Sequence, residues 1–281
     1  MKYKLTETSK TLLNGTVLYQ IQALIDIPNV CKKGDLGGWI QSKKNLSQDG
    51  PCWVSDNAYV WGDAWVYDDA RVFGKAHVYG NALIWDNAYV FGNAQVRGDA
   101  RVYGNALIWD NVYVFGNARV SGNAQVSGNA HVYDDARVWG EAQVYGHARV
   151  YGETHVCDEA WVFGNAQVCD EAQVYGKARV YGKAQVSGKA HIWGEAQVHG
   201  NAQVFGNAQV FGNAQVYGYA QVYGYAQVSG NARVYVPIDF NCDFDPWTVF
   251  LRLINNKEKL PLLMGFDDLD LNKIIEQTLK K

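Results

Sequence analysis

The chain has little of what enzymes and membrane proteins are usually built from. Proline is scarce, at 5 of 281 residues, and methionine scarcer, at 2. Long apolar runs are missing. Met1 to Gly15 is polar, so neither a signal peptide nor a transmembrane span is expected, and a cytoplasmic location is the expectation that follows. Cysteine comes as an odd five, Cys31, Cys52, Cys157, Cys169 and Cys242, with no C-x-x-C pair. That spacing argues against a zinc ribbon or a redox pair and for free thiols in a reducing compartment. A net charge of −3 and a pI near 6.1 give bulk electrostatics nothing to offer nucleic acid or an anionic membrane.

What the chain does have is one uninterrupted period. From Val54 to Val234 a branched apolar residue recurs every six positions, 31 times, without insertion or deletion. Four residues after each comes alanine, with Val112 and Thr154 departing; two residues after each comes Gly or Asp and nothing else until Val236. A spacing of six does not hold one face of a 3.6-residue helix, and each glycine would cost a helix roughly 1 kcal/mol. The period fits a β-solenoid. In Ala94, Gln95, Val96, Arg97, Gly98, Asp99, alternation sends Ala94 and Val96 inward and Gln95 and Arg97 outward, and the last two residues turn the corner. A position that accepts only Gly or Asp is one where φ is positive. Three hexads close a triangular coil whose narrow interior admits Val and Ala, so the aromatics belong outside. About ten coils, at roughly 4.8 Å each, give a rod on the order of 50 Å long.

Residues 1–38 differ in composition and read as an N-terminal β-hairpin cap. Asn14 and Gly15 carry a two-residue hairpin signal, after which Val17, Tyr19, Ile21, Ala23 and Ile25 alternate with less apolar neighbours. The solenoid is assigned to residues 39–235. Its first coil is irregular: Ile40 and Leu46 are six apart but Leu46 and Val54 eight, so Asp49, Gly50 and Pro51 are expected to hold an insertion at a corner. Residues 236–281 read as a helical cap or tail. Asp245 and Pro246 open a short helix with Trp247, Phe250, Leu251 and Ile254 on one face, and a second helix carries Leu271, Ile274, Ile275 and Leu279. This segment is expected either to lie over the last coil or to bind a partner through Trp247, Phe250, Leu251, Ile274 and Ile275.

The stretch Gly37, Gly38, Trp39, Ile40, through Asn45, Leu46, Ser47, Gln48, to Cys52, Trp53, Val54, followed by Val-Tyr-Gly-Asn-Ala hexads, resembles the YdcK-type β-solenoid proteins. These belong to the wider group of hexapeptide-repeat β-helices. The resemblance covers roughly residues 1–235, and its opening stretch is more specific than the hexads. It implies a left-handed, three-sided coil, a link to phage and prophage proteins, and an acyltransferase label that rests on fold analogy. The expected fold is all-β: a left-handed parallel β-helix of about ten three-sided coils, with an N-terminal β cap and a short C-terminal helical segment.

Arithmetic on the period then places the chemistry. The outward position after each core valine is aromatic in most hexads, giving columns such as Phe73, Phe91, Trp109; Trp61, Tyr79; and Tyr67, Trp85, Tyr103. Near the N-terminal end the other outward position is also apolar, at Trp53, Tyr59, Trp65, Leu83, Tyr89, Leu107 and Tyr113. Ring ladders of this kind stabilise neighbouring strands. Contiguous apolar patches also mark contact sites, so Trp61, Trp65, Tyr67, Phe73, Tyr79, Trp85, Tyr89, Phe91, Tyr103 and Trp109 are the candidate binding surface. Self-association or another protein is the expected partner, carbohydrate the second class; nucleic acid and membrane are disfavoured.

One corner reads Asp99, Asn117, Asp135, Glu153, Glu171, with Asp134 and Asp170 beside it, a row that suggests calcium. Arg101, Arg119, Arg137 and His155 run parallel to it, so mutual neutralisation is expected instead. His77 and His131, and likewise His155 and His191, share faces several coils apart and are not expected to converge on zinc. His147, the one histidine at a corner, with Glu153 next along, is the sole candidate catalytic base. No cofactor and no metal is implied. A non-enzymatic structural or interaction scaffold is the favoured function; an acyltransferase acting at a subunit interface through His147 is the alternative.

Overall fold

The computed structural model describes residues 1–235. Each hexad forms a two-residue strand, from β4 (Trp53–Val54) to β34 (Arg233–Val234), joined to the next by a tight corner. Each strand from β4 to β31 (Gln215–Val216) pairs in parallel with the one three further on, so Trp53 faces Arg71 and Val54 faces Val72. Three flat faces result, sheets of 13, 11 and 10 strands. With the irregular first turn they stack about 11 coils. Inward Ala and Val are sealed from solvent along the tube, and no aromatic of the repeat points into it. The backbone is bonded along the axis on faces and corners alike. Gln95 N–H donates to Val112 O at 2.8 Å, Arg97 N–H to Val114 O at 2.9 Å and Asn93 N–H to Asp110 O at 2.8 Å.

The corners explain the Gly/Asp rule. Each such residue from Asp56 to Gly230 has positive φ, 69° at Gly98 and 62° at Asp110 for example. Crowding adds to the constraint: a β-carbon at Gly140 would lie 2.8 Å from the backbone nitrogen of Asp158, one coil on. Aspartate is admitted because its carboxylate gains something in return. Oδ2 of Asp56, Asp86, Asp110, Asp158 and Asp170 accepts from the N–H of the glycine one coil on, at 2.9 to 3.0 Å. Thr154 replaces alanine without leaving a buried polar atom unpaired, because its hydroxyl donates to Tyr151 O at 2.6 Å. Nothing in the structure explains Val112, which is fully buried in an alanine column.

At the N-terminal end, β1 (Tyr3–Thr11) and β2 (Val17–Ala23) form an antiparallel hairpin, and β3 (Leu36–Ile40) pairs antiparallel with β2. β3 then pairs in parallel with β5 (Tyr59–Val60), which makes the hairpin a continuation of one solenoid face. Two details differ from expectation. The hairpin closes through three residues, Leu13, Asn14 and Gly15, because Leu12 N–H donates to Thr16 O at 2.8 Å. The expected alternation also breaks: Leu18, Ile21 and Ala23 are buried while Val17 and Ile25 are exposed, and β1 carries extra residues between Leu5 and Ser9 where its register against β2 shifts.

The irregular coil sits where the spacing placed it. Ile40 faces Val60 and Leu46 faces Val66, each offset two residues beyond the regular pairing, whereas Val54 faces Val72 in the regular register. The extra residues therefore fall between Leu46 and Val54. Two side chains repair the ladder there. The Asn45 carboxamide, fully buried, donates to Gly62 O and Ala64 O, both at 2.9 Å. Lys2, also buried, donates from Nζ to Asp49 O at 3.2 Å, Gly50 O at 2.9 Å and Cys52 Sγ at 3.0 Å. Tyr3 packs edge-on against Trp53 at 6.3 Å, so Trp53 is buried beneath the cap and is no part of an exposed patch. The helices expected beyond Val236, with Trp247, Phe250, Leu251, Ile274 and Ile275, lie outside the described residues.

Two substitutions test this account. Asp110→Ala keeps the β-carbon at positive φ but loses the acceptor, and should cost about 1 to 2 kcal/mol, whereas Asp110→Gly should be close to neutral, measured as thermal midpoints. Lys2→Met removes the donor that ties β1 to the Asp49 and Gly50 carbonyls and to Cys52 Sγ, at about 1 to 2 kcal/mol in all, so amides in Tyr3–Thr11 should exchange faster while those of Gln167 and Gln185 stay protected.

Candidate functional site

Because residue i faces residue i+18, like side chains stack on like along the rod. Trp61 lies flat on Tyr79 at 4.3 Å, Phe73 on Phe91 at 4.7 Å and Trp85 on Tyr103 at 4.4 Å, with ring planes within 5° of parallel. Tyr67 continues to Trp85 at 5.7 Å and Phe91 to Trp109 at 5.9 Å. The columns recur further along, through Phe115, Tyr133 and Tyr151 and through Tyr145, Phe163 and Tyr181. At a break in one column, the Arg97 guanidinium lies over the Phe115 ring at 4.9 Å. Rings in a column cover one another's faces and turn their edges outward. Of the ten candidate surface residues, Trp65 and Tyr89 are exposed, at 42% and 37%; the other eight are half-buried.

The corners carry polar columns built by the same register. Asn93 donates to Asn111 at 2.9 Å, Asn105 to Asn123 at 3.0 Å and Asn117 to Asp135 at 3.0 Å. Arg101, Arg119 and Arg137 do stack in register, followed by His155. Their expected pairing with the acidic corner is not formed. Among the described residues, ion pairs instead join Lys189 to Glu171 at 3.4 Å and Lys177 to Glu159 at 4.0 Å, along corners rather than across faces. Along that corner Asp99 accepts from Asn81, Asp135 from Asn117, and Glu171 pairs with Lys189, each one coil apart. No group of three or more His, Cys, Asp or Glu among the described residues is placed to hold a metal ion.

The histidines join the ring columns. His77 stacks on Tyr59 at 4.9 Å, and His199 lies between Tyr181 at 4.7 Å and Tyr217 at 5.2 Å. His131 meets Tyr113 edge-on at 5.0 Å and His155 meets Trp139 at 5.2 Å. His77 and His131 are separated by Gln95 and Tyr113 on one face, and His155 and His191 by Gln173 on another. Burial lowers the pKa of His77, His131, His155 and His199, with Arg149 adding to the effect at His131 and Arg137 at His155. His147 is exposed on a corner, its N–H on Gly164 O. Glu153 is on the following corner, so the two are not brought together. The thiols are held protonated: burial and the neighbouring Asp158 push Cys157 up to about 11, and burial raises Cys52 and Cys169.

A family model described as the YdcK β-solenoid repeat matches residues 112–128, 142–158, 172–188, 202–218, 208–224 and 226–235. Over these segments the chain is similar to the YdcK β-solenoid repeat. The matched segments all fall on regular hexads, and none covers the opening stretch Gly37 to Val54, so the hexads themselves carry the similarity. No curated protein matches the chain. Among the described residues no helix is long and apolar enough to cross a membrane.

Sequence reasoning missed Lys2 and the carboxylates that accept across corners. A lysine at position 2 has no pattern to mark it, whereas Asp with Gly 18 residues on was visible in Asp56 and Gly74.

The stacked imidazoles give the solenoid a pH dependence of definite sign. A histidine whose folded pKa is depressed binds its proton more readily when unfolded, so its contribution is complete above the ordinary value near 6.5 and is lost as pH falls below it. The thermal midpoint should therefore drop between pH 7.5 and 5.5. His199→Phe, which keeps the ring stack and removes the titration, should flatten that slope.

Proposed function

We propose that this solenoid is a non-enzymatic scaffold whose lateral faces, near the capped end, bind a second copy of the chain. The observation that supports this is the uneven distribution of apolar outward residues. On one face the first outward column runs Trp65, Leu83 and then Arg101; on another it runs, beyond Trp53 and Arg71, Tyr89, Leu107 and then Gln125. Further along, these columns are dominated by Gln and Arg. Ladder stability alone would be served equally well on any coil, so apolar residues concentrated in the first coils, with Trp161 the exception further along, point to contact there. A protein surface suits it better than a sugar. Rings already stacked on one another have no free face to offer a pyranose, while their edges, with Trp65 and Leu83, form an apolar relief that another protein can pack against.

His147, flanked along its corner by Asn129 and Asn165 and remote from Glu153, lends no support to acyl transfer. Sedimentation of the intact chain should show a concentration-dependent oligomer. Trp65→Lys combined with Tyr89→Lys should weaken it at least tenfold, about 1.4 kcal/mol, while His147→Ala leaves it unchanged. A chain that stays monomeric at every concentration, or a double variant that associates as the parent does, would sink the proposal.

A further inference from the structure

The two ends of the described solenoid are unlike. At the first coil the edge is closed by the hairpin, with β3 against β5 and with Asn45 and Lys2 bonded to the carbonyls that regular strands would otherwise serve. At the other end nothing described closes it. In each coil the outward N–H groups donate to carbonyls on the next, and the last such bonds are Gln215 to Ala232 and Tyr217 to Val234, both at 2.8 Å. The N–H groups of Gln221, Gln227, Ser229 and Arg233 have no further coil, and no acceptor among the described residues. The core loosens here too: Ala226, Val228 and Val234 are 6 to 8% accessible where the interior coils are sealed.

A second feature marks the same end. The corner position after each Gly or Asp is polar on every earlier coil: one column includes His147, Asn165, Lys183 and Asn201, another Glu171, Lys189 and Asn207. On the last full coil these columns end in Tyr219 and Tyr225, 70% and 65% exposed. Two tyrosines where the repeat otherwise places amides and charges, beside an open strand edge, make an apolar rim around unpaired donors. That combination favours a protein segment with both main-chain acceptors and apolar side chains.

We propose that the occupant is the chain's own residues 236–281, which makes the rod a closed object of fixed length. The segment leaves from Tyr235, at this edge, and its 46 residues include Trp247, Phe250, Ile274 and Ile275, a concentrated supply of large apolar side chains. Tethering presents them at an effective concentration of about millimolar, far above that of a second copy in solution. Uncovered, the same edge would be a template for end-to-end growth, which the hairpin already forbids at the opposite end.

The proposal is independent of the lateral-face reading, and hydrogen exchange on the intact chain tests it alone. The amides of Gln227, Ser229 and Arg233 should exchange on the order of a hundredfold more slowly than that of the hairpin-loop residue Leu13, equally at low and high protein concentration. Trp247→Asp with Phe250→Asp, or Ile274→Asp with Ile275→Asp, should abolish that protection while Gln167 and Gln185 keep theirs. Fast exchange in the parent chain would overturn it. So would protection that rises with protein concentration, which assigns the edge to a second copy, or protection that survives both double variants.

Discussion

The parallel register between residue i and residue i+18 is the constraint from which the rest of this molecule follows. Once Val54 faces Val72 and Ala94 reads onto Val112, the inward side chains, the corner residues and many of the outward rings and amides are stacked on their own kind at the spacing of one coil. The inward columns become a continuous aliphatic seam and the corners rows of residues with positive φ. The outer walls become columns of rings, amides or guanidiniums. Any residue that breaks a column must be compatible with the residues above and below it, not with its chain neighbours. Asp110, bonded to Gly128 one coil on, meets that condition, while Thr154 fits the aliphatic column because its hydroxyl is satisfied within its own corner by Tyr151 O.

The same register shapes the surface as a place for recognition. Rings pair with rings, carboxamides with carboxamides and Lys177 with Glu159, so much of the wall's polar and π capacity is spent along the axis. What remains turned outward is ring edges, glutamines and the few side chains that have no matching neighbour. Chemistry that needs several different groups converging on one point is hard to assemble on such a wall. Groups one coil apart meet only in pairs, as Lys177 with Glu159 or Arg97 with Phe115, and groups on different corners are held apart by the rigid cross-section. His147 and Glu153 illustrate this: six residues apart in the chain, they occupy separate corners.

Stability and finite length are separate problems for a stack of this kind. Interior coils are supported on both sides, whereas the terminal ones expose donors and core. The N-terminal solution is local and intricate in composition: a hairpin, a buried amide at Asn45 and a buried ammonium at Lys2 take over bonds that a twelfth coil would have made.

Periodicity alone determined the solenoid, the inward Val and Ala, the positive-φ corners and the site of the insertion before Val54. These follow from spacing and from the steric limits of each residue type, both of which are properties of the chain itself. Tertiary structure decided what spacing cannot express. It placed Tyr3 over Trp53 and Lys2 under the irregular corner, shifted the register of β1 against β2 between Leu5 and Ser9, and joined Asp135 and Glu171 to axial partners instead of to Arg101, Arg119 and Arg137. Each of these depends on distances between segments that are not related by the period, or on the competition between an axial and a lateral neighbour, and a count of residues holds no information about which neighbour is nearer.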